Sequence, residues 1–384
     1  MDFRYTEEQE ALRDTLQRFI ARDYGFERQR ELARSPLGFS ERAWQTYAEL
    51  GLLALPFPKD LGGLEGDGVD VMLVMEQVGR GLLLEPYWST VVLCGGLIRD
   101  GAPAAMRAAI LPQIATGKLK LALGAYEPQG RYDLHRISSI AARSGSGWRI
   151  SGQKSVVLDA PSADYFVVSA RVQPATGETT QELALFLAPR EARGVSILGY
   201  PTQSGGRAAD IALADVYVEE SALIARAGVA HALLERAVDR AAAALCAEAV
   251  GIAGMLNQAT LQHLKTRRQF GTPIGAFQVL QHRMADMYIA EEQMRSMAIA
   301  AAVQSGSDDA LGRRRAVAGA KAYIGEGARF VGQQAIQMHG AMGMVEDSIV
   351  SHYFKRLTVI DMTLGDADFQ LGRFSGSMAI PCSR

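Results

Sequence analysis

The strongest constraint on the fold is a change of hydrophobic pattern along the chain. Residues 1–120 contain apolar side chains at helical spacing, in segments bounded by capping residues and by Gly or Pro. Residues 121–225 contain short apolar runs separated by turn-rich stretches such as RSGSG, and long Ala-rich helical segments fill residues 226–384. The pattern predicts an α+β protein with an N-terminal helical domain, a middle β-barrel or sandwich domain and a C-terminal helical domain over these three ranges.

Local signals predict several helix ends. Thr6, followed three residues later by Gln9, is typical of an N-capped first helix. Ser40 is a candidate cap for a second helix, which stops at Gly51 before the breaker-rich segment PFPKDLGG. A third helix is predicted over about Val69–Gly81, and the stretch MRAAILPQIATG predicts a fourth.

Charge and cysteine content exclude several classes of protein. The formal net charge is −2, which gives no basic field for nucleic acid or for an anionic membrane surface. Cys94, Cys246 and Cys382 are odd in number and widely spaced, so they fit neither a disulfide framework nor a C-x-x-C metal site, and no metal is predicted. The charged N-terminus has no signal-peptide core, and no charge-free run is long enough to span a membrane. We therefore expect a cytoplasmic protein.

Two motifs in the C-terminal region are the most informative part of the chain. The first is RRQFGTPIGAFQ, which begins at Arg267, and the second is QMHGAMG, which begins at Gln337. Together they resemble the R-x-x-F-G-x-P-I and Q-x-x-G-G-x-G segments of the acyl-CoA dehydrogenase family. The order of helices, strands and helices is also similar to that family, whose fold ends in a four-helix bundle.

The resemblance implies that the protein binds FAD. An arginine forms bidentate, charge-assisted hydrogen bonds to pyrophosphate oxygens, and glycine permits close approach of the backbone to a ligand. The FAD-binding residues implied by the family motifs are Arg267, Phe270, Gln278, Gln337, Gly340 and Ala341.

The family reaction also requires a base, and here the chain departs from the pattern. In the family, a carboxylate takes the α proton of an acyl thioester while the β hydrogen leaves as hydride to the flavin. Many members carry the carboxylate in Y-E-G-T, where this chain reads TLGD and has Leu364. Others carry it thirty residues before the glycine of R-x-x-F-G, which is Ala241 here. Neither side chain can take a proton.

Two acidic residues are candidates for the missing base. Glu248 lies in the apolar segment AAAALCAEAVGIAG, on the helical face of Ala241 to within about 20° but roughly 10 Å along the axis. A lone carboxylate in such a segment is costly unless it is paired or protonated, so Glu248 is either the base or half of a buried ion pair with another helix. Asp366 is a second candidate, with helix capping as its alternative role.

The residues expected around the flavin ring differ from the family as well. Relatives have a T-E-P segment whose threonine reaches the flavin, whereas this chain has Tyr126, Glu127 and Pro128. Relatives have a tryptophan in G-Q-K-x-W-I-T, where this chain has Val156. The residues expected to bind the ADP end of FAD match the family, whereas those expected to bind the flavin ring and supply the base do not.

This asymmetry predicts that the chain is one subunit of a heteromer, whose second acyl-CoA dehydrogenase-like subunit supplies the ring contacts and the base. The family includes such two-gene enzymes, among them pimeloyl-CoA dehydrogenases and dehydrogenases of steroid side-chain degradation. The stretches LCAEAVG and HYFKRLTVIDMTLGDAD most resemble the small subunit of the pimeloyl-CoA type. Arg207 is either a ligand for the carboxylate of a dicarboxylate-derived substrate or a solvated turn residue.

The predicted function is FAD-dependent α,β-dehydrogenation of an acyl-CoA in fatty acid or dicarboxylate degradation, within such a heteromer. The resemblance implies an electron-transfer flavoprotein as the electron acceptor. One alternative is a homo-oligomeric enzyme that uses Glu248 as a displaced base. A second is a non-catalytic acyl-CoA-binding subunit that binds no flavin, and a third is a flavin-dependent oxidase or monooxygenase on the same fold.

Overall fold

The computed structural model describes residues 5–173, 182–226 and 228–378. Contacts within the chain divide it into two compact units. The first contains the N-terminal segment up to Arg30, Gly68–Leu83 and the chain from Ala242 onward. The second contains Glu31–Asp67 and Leu84–Ala241.

Helices dominate the chain before its first strand, as the periodicity predicts. They are α1 (Glu7–Asp23), α2 (Phe26–Arg34), α3 (Glu41–Glu49), α4 (Gly68–Gly81), a π-helix (Trp88–Gly95), α5 (Gly96–Gly101) and α6 (Ala104–Ala115). The predicted caps are confirmed: Thr6 and Gln9 form a capping box on α1, and the side chain of Ser40 caps α3. After α3 the chain turns at Gly51, whose φ of 75° favours glycine.

The middle of the chain forms one eight-stranded mixed sheet. Its strands are β1 (Leu121–Gly124), β2 (Ile140–Ser144), β3 (Gly147–Leu158), β4 (Tyr165–Val172), β5 (Leu183–Pro189), β6 (Val195–Pro201), β7 (Arg207–Glu219) and β8 (Leu223–Ala225). The spatial order is β6-β7-β3-β2-β4-β5-β8, with β1 paired to β4. Strands β1 and β2 run parallel to β4, and the other pairs are antiparallel. Inward-facing apolar residues such as Ile150, Phe166 and Phe186 form its core.

From residue 228 to residue 378, the described C-terminal region is helical apart from a short hairpin and connecting turns. Its elements are α7 (Ala230–Thr266), β9 (Arg268–Gln269), β10 (Thr272–Pro273), α8 (Gln278–Ser305), α9 (Ala310–His339), α10 (Ile349–Met362) and α11 (Ala367–Ser377). Helix α9 packs against α8, α10 and α11. The predicted α+β fold class is thereby confirmed.

Two glycines allow α4 and α7 to approach each other closely within the first unit. A Cβ atom on Gly79 would lie 2.1 Å from the carbonyl oxygen of Glu248, and one on Gly251 would lie 2.0 Å from that of Glu76. The backbones of α4 and α7 therefore touch at the level of Glu248.

Burial accounts for the long apolar helix α7 and for two of the cysteines. Helix α7 is long and apolar enough to cross a membrane, but 83% of its most apolar window is buried inside the protein, as in a core helix. Cys94 and Cys246 are buried, and burial raises the pKa of both thiols. Cys382 lies outside the described residues. The cytoplasmic location stays a prediction.

Candidate functional site

The R-x-x-F-G motif forms a tight hairpin at the end of α7. Strands β9 and β10 pair through Gln269 and Thr272, which leaves a two-residue turn at Phe270 and Gly271. The φ angles of these two residues are 52° and 79°. A two-residue hairpin turn of type I′ requires positive φ at both positions, so the turn places Phe270 in a conformation that is unfavourable for a bulky residue. The Phe270 side chain is 92% exposed, which marks it as available for a ligand or a partner.

Two stacked histidines bring the two family motifs together in the first unit. His263 lies one helical turn before Arg267, and His339 immediately precedes Gly340. Their rings stack with centroids 4.4 Å apart and planes tilted by 28°. Burial, His339 and Arg267 together lower the pKa of His263. No motif marks His263, but its position one turn before Arg267 is a signal that identifies it.

The resulting surface carries the donors that a pyrophosphate needs. The side chains of Arg267, Gln278 and Gln337 are exposed. Gln278 begins α8, whose first turn contains no acidic residue, so the positive end of the helix dipole is free of a competing carboxylate. A Cβ atom added to Gly340 would meet no atom within 4 Å, and its φ of 62° with ψ of −145° requires glycine. The neighbouring Ala341 is also exposed. This donor set fits the ADP half of FAD, and the role of each residue stays a prediction.

The turn expected to carry the base is anchored by hydrogen bonds to its backbone and has a leucine at the base position. Leu364 is buried and has a φ of 60°, which is rare for a non-glycine residue. The buried Lys321 ammonium donates to the carbonyl oxygens of Ile360 at 2.8 Å, Asp361 at 3.0 Å and Gly365 at 3.3 Å. The backbone of the turn is thus anchored, while a leucine stands where many relatives have the catalytic carboxylate.

Glu248 is half of a buried ion pair. Its oxygens accept hydrogen bonds from Nε of Arg356 at 2.5 Å and from Nη2 at 2.8 Å. The Glu248 side chain is 2% exposed, and that of Arg356 is 24% exposed. The alternative of a buried ion pair with another helix is therefore confirmed, since Arg356 lies on α10. The catalytic role of Glu248 stays a prediction.

The other two positions considered for the base also have structural roles. Asp366 caps α11, because its Oδ1 accepts the backbone N–H of Phe369 at 2.9 Å. The carbonyl oxygen of Ala241 accepts a hydrogen bond from the indole of Trp88 at 2.9 Å. The capping alternative for Asp366 is confirmed, and its role as a base stays a prediction.

In the second unit, Glu127 is a buried carboxylate with several donors. Its oxygens accept from Nζ of Lys154 at 2.7 Å and from the backbone N–H groups of Ser138 at 2.6 Å and Ser139 at 3.0 Å. Burial raises the pKa of Glu127. Lys154 and the hydroxyls of Ser138 and Ser139 lower it by more, so that the pKa is about 2. The loop that follows Glu127 is thereby tied to β3.

An open cavity of about 360 Å³ lies beside this loop. Residues of the loop, β3, β6 and β7 line it, among them Pro128, Ser155, Leu198 and Asp210. Val156, at the position of the tryptophan in relatives, is 60% exposed at a bulge of β3 with a φ of 51°. Val156 supplies no aromatic ring at the tryptophan position, and Tyr126 stands at the position of the threonine.

Arg207 binds backbone oxygens of its own unit. Its Nη2 donates to the carbonyl oxygens of Ala33 at 2.9 Å and Ser35 at 2.6 Å, and its Nη1 donates to Gly206 at 3.3 Å. These contacts hold the segment after α2, and a substrate role for Arg207 stays a prediction.

Comparison with known families identifies three regions of the chain. Residues 6–118 match the acyl-CoA dehydrogenase N-terminal domain, 122–220 the middle domain and 227–378 the C-terminal domain. The three predicted domain boundaries stay predictions. Among curated proteins, the acyl-CoA dehydrogenase FadE12 of Mycobacterium tuberculosis is 30% identical over 348 residues, which cover 89% of this chain and 88% of that one.

Solved structures give the same result. A variant of the steroid ACAD Tcur3481-Tcur3483 has a TM-score of 0.85 at 30% identity and covers 97% of this chain and 98% of its own. The ChsE4-ChsE5 complex from Mycobacterium tuberculosis has a TM-score of 0.89 at 25% identity, with 99% of both chains covered. On this evidence the chain belongs to the acyl-CoA dehydrogenase family, whose members are FAD-dependent oxidoreductases that act on acyl-CoA.

Proposed function

We propose that this chain is one subunit of a heteromeric acyl-CoA dehydrogenase and contributes the ADP-binding half of an FAD site. A second, related subunit supplies the catalytic base and the contacts to the flavin ring. The observation that carries the proposal is that the positions expected for the base hold no available carboxylate. Leu364 and Ala241 have no proton acceptor, and Glu248 is held by Arg356.

Removal of the α proton requires a carboxylate with an accessible lone pair beside the substrate. Both oxygens of Glu248 accept hydrogen bonds from the guanidinium of Arg356, so the negative charge of this carboxylate is balanced by a counterion. FAD, when bound, supplies the acceptor for the hydride that leaves the β carbon. In this chain Arg267, Gln278 and the backbone at Gly340 would bind and orient the pyrophosphate and adenosine end.

The comparisons support this proposal. The ChsE4-ChsE5 structure is described as a complex, and the Tcur3481-Tcur3483 structure carries two protein names. The resemblance to the small subunit of pimeloyl-CoA-type enzymes favours the same arrangement. A relative named caffeyl-CoA reductase-Etf complex subunit CarC, 26% identical, supports an electron-transfer flavoprotein as the redox partner.

The test is acyl-CoA-dependent reduction of an electron acceptor by the chain alone and by the chain co-purified with an acyl-CoA dehydrogenase-like protein encoded beside it. We expect turnover only from the pair. Within the pair, Glu248→Gln should retain turnover, whereas substitution of the carboxylate at the Y-E-G-T position of the partner should abolish it. Turnover by the chain alone that is lost in Glu248→Gln would instead establish the homo-oligomeric alternative.

A further inference from the structure

Two histidines and a glutamate from separate segments meet in the second unit, and none of them belongs to the predicted FAD-binding set. The ligand atoms of His135, His231 and Glu235 all lie within 4.8 Å of one another. The two imidazole rings stack with centroids 3.7 Å apart, and Nδ1 of His231 lies 3.7 Å from Oε2 of Glu235. We propose that these three side chains bind one divalent transition-metal ion of the zinc class.

The backbone holds these ligands in place. His231 and Glu235 are four residues apart in the first turns of α7, so their side chains share one face of the helix. His135 lies in the loop between β1 and β2. Nη2 of Arg171 donates to the carbonyl oxygen of His135 at 2.6 Å, and the backbone N–H of His135 donates to Asp133 at 2.8 Å. The loop ligand is therefore anchored through both its backbone N–H and its backbone carbonyl oxygen.

The ligand set selects the metal. Two imidazole nitrogens and one carboxylate oxygen suit Zn²⁺ and neighbouring transition ions, whereas Mg²⁺ and Ca²⁺ prefer oxygen ligands alone. Tetrahedral coordination at about 2.0–2.2 Å requires ligand atoms roughly 3.3–3.6 Å apart, which small rotamer changes can reach from the observed separations. The side chains of His231 and Glu235 are 27% and 24% exposed, so an ion and a completing water molecule have access.

A bound ion would connect the β1–β2 loop to α7. This loop also contains Glu127, whose hydrogen bonds already tie its other end to β3. We therefore expect metal binding to be saturable and to stabilise the folded chain. No sequence motif predicts this site, because His135 lies far from His231 in the chain and on a loop without regular spacing.

The experiment uses the full-length, untagged chain stripped with a chelator, titrated with ZnCl₂ by calorimetry and followed by thermal unfolding. We expect one Zn²⁺ per chain and a higher unfolding temperature with the metal. His231→Ala and Glu235→Gln should each weaken binding by at least about tenfold, because even outer partners of metal ligands contribute on that scale. His282→Ala, which removes an exposed histidine of α8 outside the cluster, is the matched control and should bind like the unchanged chain.

His135→Asn serves if the α7 variants are poorly folded, because the loop position is exposed. Absence of stoichiometric Zn²⁺ binding overturns the proposal. Equal affinity in the unchanged chain, His135→Asn and His282→Ala also overturns it, because the bound metal would then lie elsewhere.

Discussion

The guanidinium of Arg356 on α10 holds the carboxylate of Glu248 on α7, with Nε 2.5 Å from Oε1 and Nη2 2.8 Å from Oε2. The backbone of Glu248 lies where α4 and α7 touch, and its side chain is almost fully buried. A buried charge in such a place is tolerated only with a close counterion. The ion pair with Arg356 therefore accounts for the presence of an acidic residue in the apolar stretch of α7.

Loss of either partner should destabilise the fold unequally. Glu248→Gln leaves a partly hydrated arginine and should reduce the free energy of unfolding by about 2 kcal/mol, whereas Arg356→Gln leaves a buried carboxylate and should cost about 3–4 kcal/mol. Urea unfolding at neutral pH measures both values. A Glu248→Gln variant that folds like the unchanged chain and loses turnover, next to an active Arg356→Gln, would contradict this account and identify Glu248 as the base.

Arg267 should be required for retention of FAD in the assembled enzyme. Arg267→Gln removes a charged donor set and should weaken FAD binding by about 10–100-fold, which corresponds to the loss of roughly 1.5–3 kcal/mol from a charge-assisted contact. Arg268→Gln is the control, because the Arg268 guanidinium donates to the carbonyl oxygen of Gly271 within its own hairpin. Equal loss of FAD in both variants would mean that hairpin folding, not phosphate binding, is affected.

Arg207 should act on stability and not on substrate choice. Arg207→Met leaves the carbonyl oxygens of Ala33 and Ser35 without this donor and should reduce the free energy of unfolding by about 1–2 kcal/mol. Arg190→Met is the matched control for the loss of an arginine that binds backbone oxygens, since Nη1 of Arg190 donates to the carbonyl oxygen of Pro161 at 2.7 Å. The ratio of kcat/KM values for acyl chains with and without a terminal carboxylate should be unchanged in the assembled enzyme. A selective loss for the carboxylate-bearing chain would make Arg207 a substrate ligand.

Acid should remove the stabilisation that Glu127 provides. Its pKa is about 2 in the folded chain, against an ordinary value of 4.5. Because the folded pKa is the lower one, the stabilisation is fully present above pH 4.5 and is lost as the pH falls toward 2. The stability difference between the unchanged chain and Glu127→Gln should therefore shrink across this range in urea titrations. Glu219→Gln, the same substitution at an exposed carboxylate, is the matched control, and a constant stability difference for Glu127→Gln would contradict the assignment.

Features governed by neighbouring residues could be predicted from the sequence. The capping box of Thr6 and Gln9 acts within one turn, so four residues of sequence suffice to identify it. The period of apolar residues predicted the order of helices and strands for the same reason. The π-helix at Trp88–Gly95 could not be predicted, because all of its residues are buried and its sequence therefore carries no alternation of buried and exposed positions.

The partners of the buried carboxylates could not be predicted, because they lie far away in the sequence. Glu248 and Arg356 are 108 residues apart, and no local pattern selects the arginine. The donors to Glu127 come from Ser138, Ser139 and Lys154 on two later segments. Whether a buried carboxylate is a base or a counterion depends on such tertiary partners, which only packing reveals.

The visible absorption spectrum tests the shared FAD site most directly. The chain is purified alone and after co-expression with an acyl-CoA dehydrogenase-like protein encoded beside it. We expect flavin absorbance at about 450 nm only for the pair, and we expect an acyl-CoA to bleach it. A chain that is yellow when purified alone and bleaches with an acyl-CoA would contradict this expectation, as would a chain that stays colourless with the partner.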